Sequence, residues 1–149
     1  MNQRSGATVP DVNRLEKVLT ANDVGSSRSN QAGFVVPRSM VPFFPPLDPS
    51  ARNPDCWLTV TTDDGYSENW RYVYYNNKLF GEGTRKEHRV TYCRPYFARV
   101  AAAEGDTLTL EVDRVRETVV VSLQPQSFVR PEGARLVLSS VGRWRHVEL

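Results

Sequence analysis

The sequence is poor in cysteine, histidine and lysine. Among its 149 residues are two cysteines, two histidines and three lysines. Cys56 and Cys93 each adjoin a strand-like run, which predicts buried free thiols instead of a disulfide. No Cys-x-x-Cys or His-x-x-x-His spacing occurs, and His88 lies far from His146 in the chain. The composition therefore argues against a structural zinc site.

Long apolar runs are also lacking. No stretch of 18 apolar residues occurs, and the first five residues lead into no apolar signal segment. We therefore expect a soluble, cytoplasmic protein with no membrane partner. A length of 149 residues suits one domain, or one domain with tails.

Positive charge is abundant in one segment only. Residues 78–99 contain six Lys or Arg and two Glu, so this segment carries a net charge of 6 − 2 = +4, whereas the whole chain carries +2. The segment lies between two strand-like runs and contains Gly81 and Gly83, which predicts a hairpin with a long connecting loop. A basic arm that rigid strands hold out is typical of an element that enters a nucleic-acid groove.

Hydrophobic patterning predicts a mainly β protein with two or three short helices. Six segments alternate or are rich in β-branched and aromatic residues: 31–36, 57–62, 69–75, 89–93, 107–112 and 117–123. A seventh, 11–21, fits a helix by the spacing of Val12, Leu15 and Val18, but it could equally open a sheet. Short helices are predicted at 38–44 and 96–103. This spacing of strands is typical of a small barrel or sandwich.

The chain divides into three predicted parts. Residues 1–10 are polar and are expected to form a flexible tail. Residues 11–124 form the compact domain. Residues 125–149 are a C-terminal extension, which is either an edge strand or the start of a linker towards a domain absent from this sequence.

Two loops carry complementary polar chemistry. Residues 24–31, the first arm, offer hydroxyls, amides and one guanidinium for phosphates or adenine edges. Residues 77–89, the second arm, offer Arg85 and Arg89 for guanine, Glu87 for cytosine, and lysines and a histidine for phosphates or bases. The candidate DNA-binding residues are Ser26, Arg28, Ser29, Asn30, Gln31, Asn77, Lys78, Arg85, Lys86, Glu87, His88 and Arg89.

Simpler interpretations of these features stay open. The second arm could be a solvated hairpin tip, and Glu87 could form a surface salt bridge with Arg85 or Arg89. Trp57, Trp70, Tyr72 and Tyr74 stand within alternating strands, which favours packing in the sheet over base stacking.

The sequence shows no catalytic motif. A magnesium nuclease of the common kind needs an acid two positions before a lysine, but Asn76 precedes Lys78 and Thr84 precedes Lys86 at that spacing. We therefore predict no catalytic residues, no metal ligands and no cofactor for this chain alone.

Several runs resemble the effector domain of type IIE restriction endonucleases of the EcoRII type. These runs are 19–25, 31–37, 74–81 and 84–91, and the likeness extends over about residues 15–124. The resemblance implies a seven-stranded DNA-binding pseudobarrel with short helices, like the DNA-binding domain of plant auxin-response transcription factors. It also implies that residues 16–21 form a strand.

The resemblance further implies how such a domain works. Two arms grip double-stranded DNA through the major groove at a CCWGG-like site, in the bacterial cytoplasm. The domain itself targets or regulates, while a separate C-terminal nuclease domain, with which it makes contact, uses Mg²⁺. The alternatives are a stand-alone DNA-binding regulator and a protein-interaction domain without a nucleic-acid role. This chain departs from the family in a second arm that is one residue longer, with Glu82 and Gly83 near the position of a basic residue. His88 stands where the family has a lysine, and Arg28 and Asn30 replace smaller residues and a histidine.

Overall fold

A computed structural model describes residues 9–25, 33–126 and 142–148. Within them the chain forms eight strands, β1 to β8, and three short helices. The strands are β1 (Val12–Val18), β2 (Phe34–Val36), β3 (Asp55–Thr62), β4 (Ser67–Tyr75), β5 (Glu87–Thr91), β6 (Thr107–Asp113), β7 (Thr118–Gln124) and β8 (Trp144–Val147). The helices are a first 3₁₀ helix (Arg38–Phe43), a second 3₁₀ helix (Asn77–Phe80) and the α-helix α1 (Arg94–Arg99).

All eight strands belong to one sheet, in the order β2-β5-β4-β3-β7-β6-β1-β8. Neighbouring strands are antiparallel except β3 and β7, which run parallel. The prediction of a mainly β pseudobarrel with few short helices is confirmed. The sheet has one strand more than predicted, because β8 pairs with β1 at its edge.

The two edges of the curled sheet meet through aromatic rings. Phe34 of β2 lies 5.7 Å from Trp144 of β8, measured between ring centroids, and Phe43 stacks on His146 at 4.1 Å. These contacts cover edge strands that would otherwise expose apolar faces. The curl also brings β2, which follows the first arm, to the side of β1, which precedes it.

The inner face of the sheet is the hydrophobic core. Leu58 and Val60 point inwards on β3, and the intervening residues point outwards, as the alternating sequence predicted. Trp70 and Tyr72 are fully buried, which confirms their predicted packing. For Trp57 that prediction is only partly right: its side chain is 48% exposed and contacts the ring of Tyr92 on the outer face.

Three local predictions need correction. Helical spacing in 11–21 is misleading, because β1 alternates with buried Asn13, Leu15 and Lys17, and this strand begins before residue 16. The helix predicted at 96–103 begins earlier, at Arg94, because a proline suits its first turn. The predicted free thiols are present, but Cys56 is only partly buried.

Burial raises the pKa of both Cys56 and Cys93 to about 12, so both thiols are protonated at neutral pH.

Across the described ranges, no helix is long and apolar enough to cross a membrane. The same part of the chain contains no group of three or more His, Cys, Asp or Glu side chains that could hold a metal ion.

Candidate nucleic-acid interface

We call the two ends at which an arm leaves and rejoins the sheet its root. The strand pair β2–β5 brings the rejoining ends of the two arms together. The first arm rejoins the sheet at Phe34, which lies opposite Val90. The second arm rejoins it at Glu87, three residues along β5 from Val90. At about 3.3 Å per residue, the two roots are about 10 Å apart along the strands. Ser26, Arg28, Ser29, Asn30 and Gln31 of the first arm lie outside the described residues, so their placement stays a prediction.

Two cavities adjoin β2 and the ends of the arms. One, of about 520 Å³, is lined by Lys17, Asp23 and Arg89. The other, of about 420 Å³, is lined by residues of the second arm and by Arg38 of the first 3₁₀ helix. Val35 lines both cavities, and its side chain is 39% exposed. The surface between the roots is therefore concave, with both charged and apolar groups.

The root of the first arm is held by a buried ion pair. Lys17 of β1 donates to the Asp23 carboxylate, and both side chains are almost inaccessible to water. The same carboxylate accepts the backbone N–H of Thr20 at 2.8 Å, and the Thr20 hydroxyl accepts the backbone N–H of Asp23 at 3.1 Å. Burial lowers the pKa of Lys17, although Asp23 opposes this effect. The turn that leads into the first arm is thus fixed to the core by a charge.

The root of the second arm is held by neutral amides. The fully buried Asn76 accepts the backbone N–H of Asn53 at 2.7 Å and donates to the carbonyl oxygen of Ala51 at 2.7 Å. Asn53 returns the contact, because its side-chain oxygen accepts the backbone N–H of Asn76 at 3.1 Å. Asn53 has a left-handed φ of 47°, a conformation that asparagine tolerates better than most residues. The second arm is thereby bound to the loop 47–54, which we call the crossing loop.

The second arm is folded on itself. Its second 3₁₀ helix is followed by Gly81, which caps it with a left-handed φ of 74° that a side chain would disfavour. The backbone N–H of Lys78 donates to the carbonyl oxygen of Arg85 at 3.1 Å, which closes the arm near its root. The exposed side chains of the arm are Lys78, Leu79, Phe80, Glu82, Thr84 and Lys86.

Glu87 binds both candidate guanine-contacting arginines. One carboxylate oxygen lies 3.0 Å from Nη2 of Arg85 and 3.0 Å from Nε of Arg89. Burial opposes the charge of Glu87, but the bonds from Arg89 and Arg85 outweigh burial and lower its pKa. The guanidinium of Arg85 also lies over the Tyr75 ring, 3.9 Å from its centroid. The salt bridge that the simpler interpretation proposed is therefore present, to both arginines.

The two arginines differ in exposure. The Arg85 side chain is 37% exposed, whereas that of Arg89 is 7% exposed. Arg89 lies opposite Val35 and Val73 in the sheet, and it lines the larger cavity. Arg85 is thus the more exposed of the two arginines, whereas Arg89 is buried at the bottom of the concave surface between the arms.

His88 lies within an aromatic stack. Its ring lies parallel to that of Tyr74, with centroids 4.2 Å apart and an interplanar angle of 9°. Burial lowers the pKa of His88 below its usual value of 6.5. His88 is therefore mainly neutral at pH 7 in the free protein, and its role in DNA contact stays a prediction.

Several residues that position the arms could not be recognised from local sequence patterns. Lys17 and Asp23 are two common charges in a polar stretch, and Asn53 meets Asn76 across 23 residues of chain. A local pattern does not encode such pairs. The feature that could have revealed the second pair is the presence of asparagines on both sides of the two predicted strands, Asn53 before them and Asn76 and Asn77 after them.

Comparison with known proteins gives two kinds of similarity. Residues 8–101 match the family described as "Restriction endonuclease EcoRII, N-terminal". The type II restriction enzyme EcoRII from Escherichia coli is 37% identical over an alignment of 79 residues, and the match covers 50% of this chain and 19% of that protein. The matched part of the chain thus spans about a fifth of this curated relative.

A solved structure shares the fold. The structure titled "Arabidopsis FUS3-DNA complex" superimposes with a TM-score of 0.54 and covers 74% of this chain and 94% of its own. The sequences are 14% identical, so this similarity bears on architecture alone.

Proposed function

This chain belongs to the family of N-terminal domains of the restriction endonuclease EcoRII, and from that premise we propose that it recognises a specific double-stranded DNA sequence. It serves as the targeting or effector part of a type II restriction enzyme. Cleavage with Mg²⁺ belongs to a separate catalytic domain, with which this domain makes contact. The proposed target is CCWGG-like.

The spacing of the arm roots is the observation that carries the proposal. The roots lie about 10 Å apart along β2–β5, and the major groove of B-DNA is about 12 Å wide. The second arm presents Lys78 and Lys86 to solvent at one side of this concave surface. Two arms at this separation suit contacts with base edges inside one major groove, with lysines directed to the flanking phosphates.

The side chains then take different roles. Arg85, partly exposed and stacked on Tyr75, contacts a guanine edge. Glu87 orients Arg85 and Arg89, and Lys78 and Lys86 neutralise phosphates. On the first arm, hydroxyl and amide groups contact phosphates or adenine. The proposed first-arm contacts are Ser26, Arg28, Ser29, Asn30 and Gln31.

The decisive experiment is selection of bound duplexes from a random pool by the 149-residue protein. We expect one enriched sequence with G·C pairs around a central A·T pair. Affinity for it should fall by roughly 10³–10⁵ between 50 and 200 mM salt, as for a protein with about 6–10 phosphate contacts. Absence of any enriched sequence, together with weak salt dependence, would instead favour a protein-interaction domain.

Substitutions in the second arm separate base contacts from phosphate contacts. Arg85→Ala should cost about 1–3 kcal/mol on the selected site and relax the preference at one base pair. Lys86→Ala should weaken all duplexes about equally. Arg116→Ala is the matched control, because Arg116 is exposed in the β6–β7 turn, at the opposite end of β1 from the first arm. Competition binding with single-base variants measures all three. An equal loss of affinity for every duplex in Arg85→Ala would show that Arg85 contacts a phosphate and not a base.

A further inference from the structure

The acid at the tip of the second arm needs an explanation. Glu82 stands among basic residues, and a carboxylate there repels the phosphates that the arm approaches. The other acid of the arm, Glu87, binds arginines of the arm itself. Glu82 binds an arginine outside the arm, Arg52 of the crossing loop, with 2.6 Å between Nη2 and Oε1.

We infer that Arg52 and Glu82 position the second arm for DNA, so that Arg52 acts on binding through the arm instead of contacting DNA. The inference rests on the proposed function. A second contact supports it: the Arg52 guanidinium lies 5.4 Å from the ring centroid of Phe80, in the second 3₁₀ helix of the arm. Arg52 thus contacts the arm at both an acidic and an aromatic side chain.

The crossing loop holds the arm at two points. Asn53 binds Asn76 at the root, and the preceding residue, Arg52, binds Glu82 near the tip. One attachment leaves a projecting loop free to pivot about its root, whereas two attachments to the same loop fix its direction. Binding then loses less conformational entropy, because the arm is already ordered before DNA arrives.

The exposure of the pair decides where its effect should appear. The side chains of Arg52 and Glu82 are 46% and 63% exposed, and ion pairs at such sites contribute little to folding. We therefore expect the pair to change DNA affinity without changing the unfolding transition. Direct phosphate binding by Arg52 is the competing explanation, and it predicts the opposite sign for Glu82.

The experiment compares Arg52→Gln, Glu82→Gln and the double variant on the selected duplex at 200 mM salt, where long-range charge effects are screened. The controls are Arg14→Gln and Glu111→Gln, a partly exposed pair with 3.0 Å between Nη2 and Oε2 on β1 and β6. These controls report the effect of one changed charge away from the arms.

Relative to its charge-matched control, each single variant should lower affinity by about three- to tenfold, because the unpaired arm must be ordered during binding. The double variant should be no weaker than the weaker single variant. The salt slope and the denaturation midpoint should stay at the wild-type values.

Two outcomes would overturn the inference. A gain of affinity in Glu82→Gln, with the salt slope of Arg52→Gln reduced by about one, would make Arg52 a phosphate contact. Unchanged affinity in all three variants would show that the pair has no part in binding. If the wild-type protein enriches no duplex in the selection, the proposed function fails, and this inference fails with it.

Discussion

The two arms leave the same sheet from roots of different chemistry. The first root uses the buried charges of Lys17 and Asp23, and the second uses the amides of Asn53 and Asn76. The charged pair places the carboxylate of Asp23 against the amine of Lys17 inside the core. The amide pair has no titrating group, and its donors and acceptors face each other in only one orientation.

A small sheet thus fixes its two loops in two different ways. A buried charge is costly to leave unpaired, so the first root resists any movement that separates Lys17 from Asp23. Disrupting the amide root should cost less free energy of unfolding. Its two reciprocal hydrogen bonds instead fix the direction in which the second arm leaves the sheet. We expect the first root to control stability and the second to control the geometry of binding.

The largest expected effect follows from Asp23→Asn. The change leaves the buried charge of Lys17 without its partner, so the free energy of unfolding should fall by about 3–5 kcal/mol at pH 7. The folded pKa of Lys17 lies below its ordinary value of 10.5, so the folded state releases this proton first and gains stability as pH rises between those values. Because Asp23 opposes the lowering, its loss should lower the pKa of Lys17 further, so the variant gains more stability than the wild type as pH rises. The loss should therefore shrink towards pH 10, which denaturant titrations at several pH values would measure.

The double variant Lys17→Met with Asp23→Asn provides the control, because it removes both charges and should recover part of the loss. A double variant that is less stable than Asp23→Asn would contradict the pairing argument.

Asn76→Ala should have an intermediate effect on folding and a specific effect on binding. It leaves the backbone N–H of Asn53 and the carbonyl oxygen of Ala51 without their partner, at a cost of about 1–3 kcal/mol. Asn13→Ala is the matched control, because Asn13 is also buried but donates to the carbonyl oxygen of Pro10, away from the arms. At temperatures where both variants stay folded, only Asn76→Ala should lower affinity for the selected duplex. Equal losses of affinity would show that Asn76 acts through stability alone.

The smallest expected effect belongs to Glu87→Gln. The wild-type carboxylate binds Arg85 and Arg89 while partly exposed, so its loss should cost about 1 kcal/mol or less at pH 7. The pKa of Glu87 lies below its ordinary value of 4.5, so its contribution is complete above pH 4.5 and disappears as pH falls through the folded pKa. Wild type and variant should therefore converge in stability in acid. If wild type and variant differ in unfolding free energy by the same amount down to pH 3, the charge of Glu87 is not the source of that difference.

Much of the fold followed from local patterns in the sequence. Alternation in 57–62 predicted the strand and which of its residues share a face, because side chains of a strand repeat every two residues. It did not predict which face is buried, since both faces carry large apolar residues. The turn at 63–65 and the glycines of the second arm marked where chain direction changes. In contrast, β8 has four residues, too few for alternation to distinguish a strand from a loop, and its place depends on pairing with β1.

The candidate site was predictable in location but less so in detail. A cluster of basic residues between two strands located the second arm, since charge and hairpin signals are both local. The burial of Arg89 was not predictable, because it depends on Val35 and Val73 on neighbouring strands. The roles of the named residues in DNA contact stay predictions until the selection experiment is done.

The pairing of β2 with β5 sets the distance between the points at which the two arms rejoin the sheet. At Gly33, with φ of 93°, an added Cβ would lie 1.9 Å from the carbonyl oxygen of Val90, so the first arm returns to the sheet where only glycine fits. A slip of one residue would turn Val35 inwards and Phe34 outwards. We therefore expect relatives that bind differently spaced base pairs to vary in arm length, while the distance between the points of return stays constant.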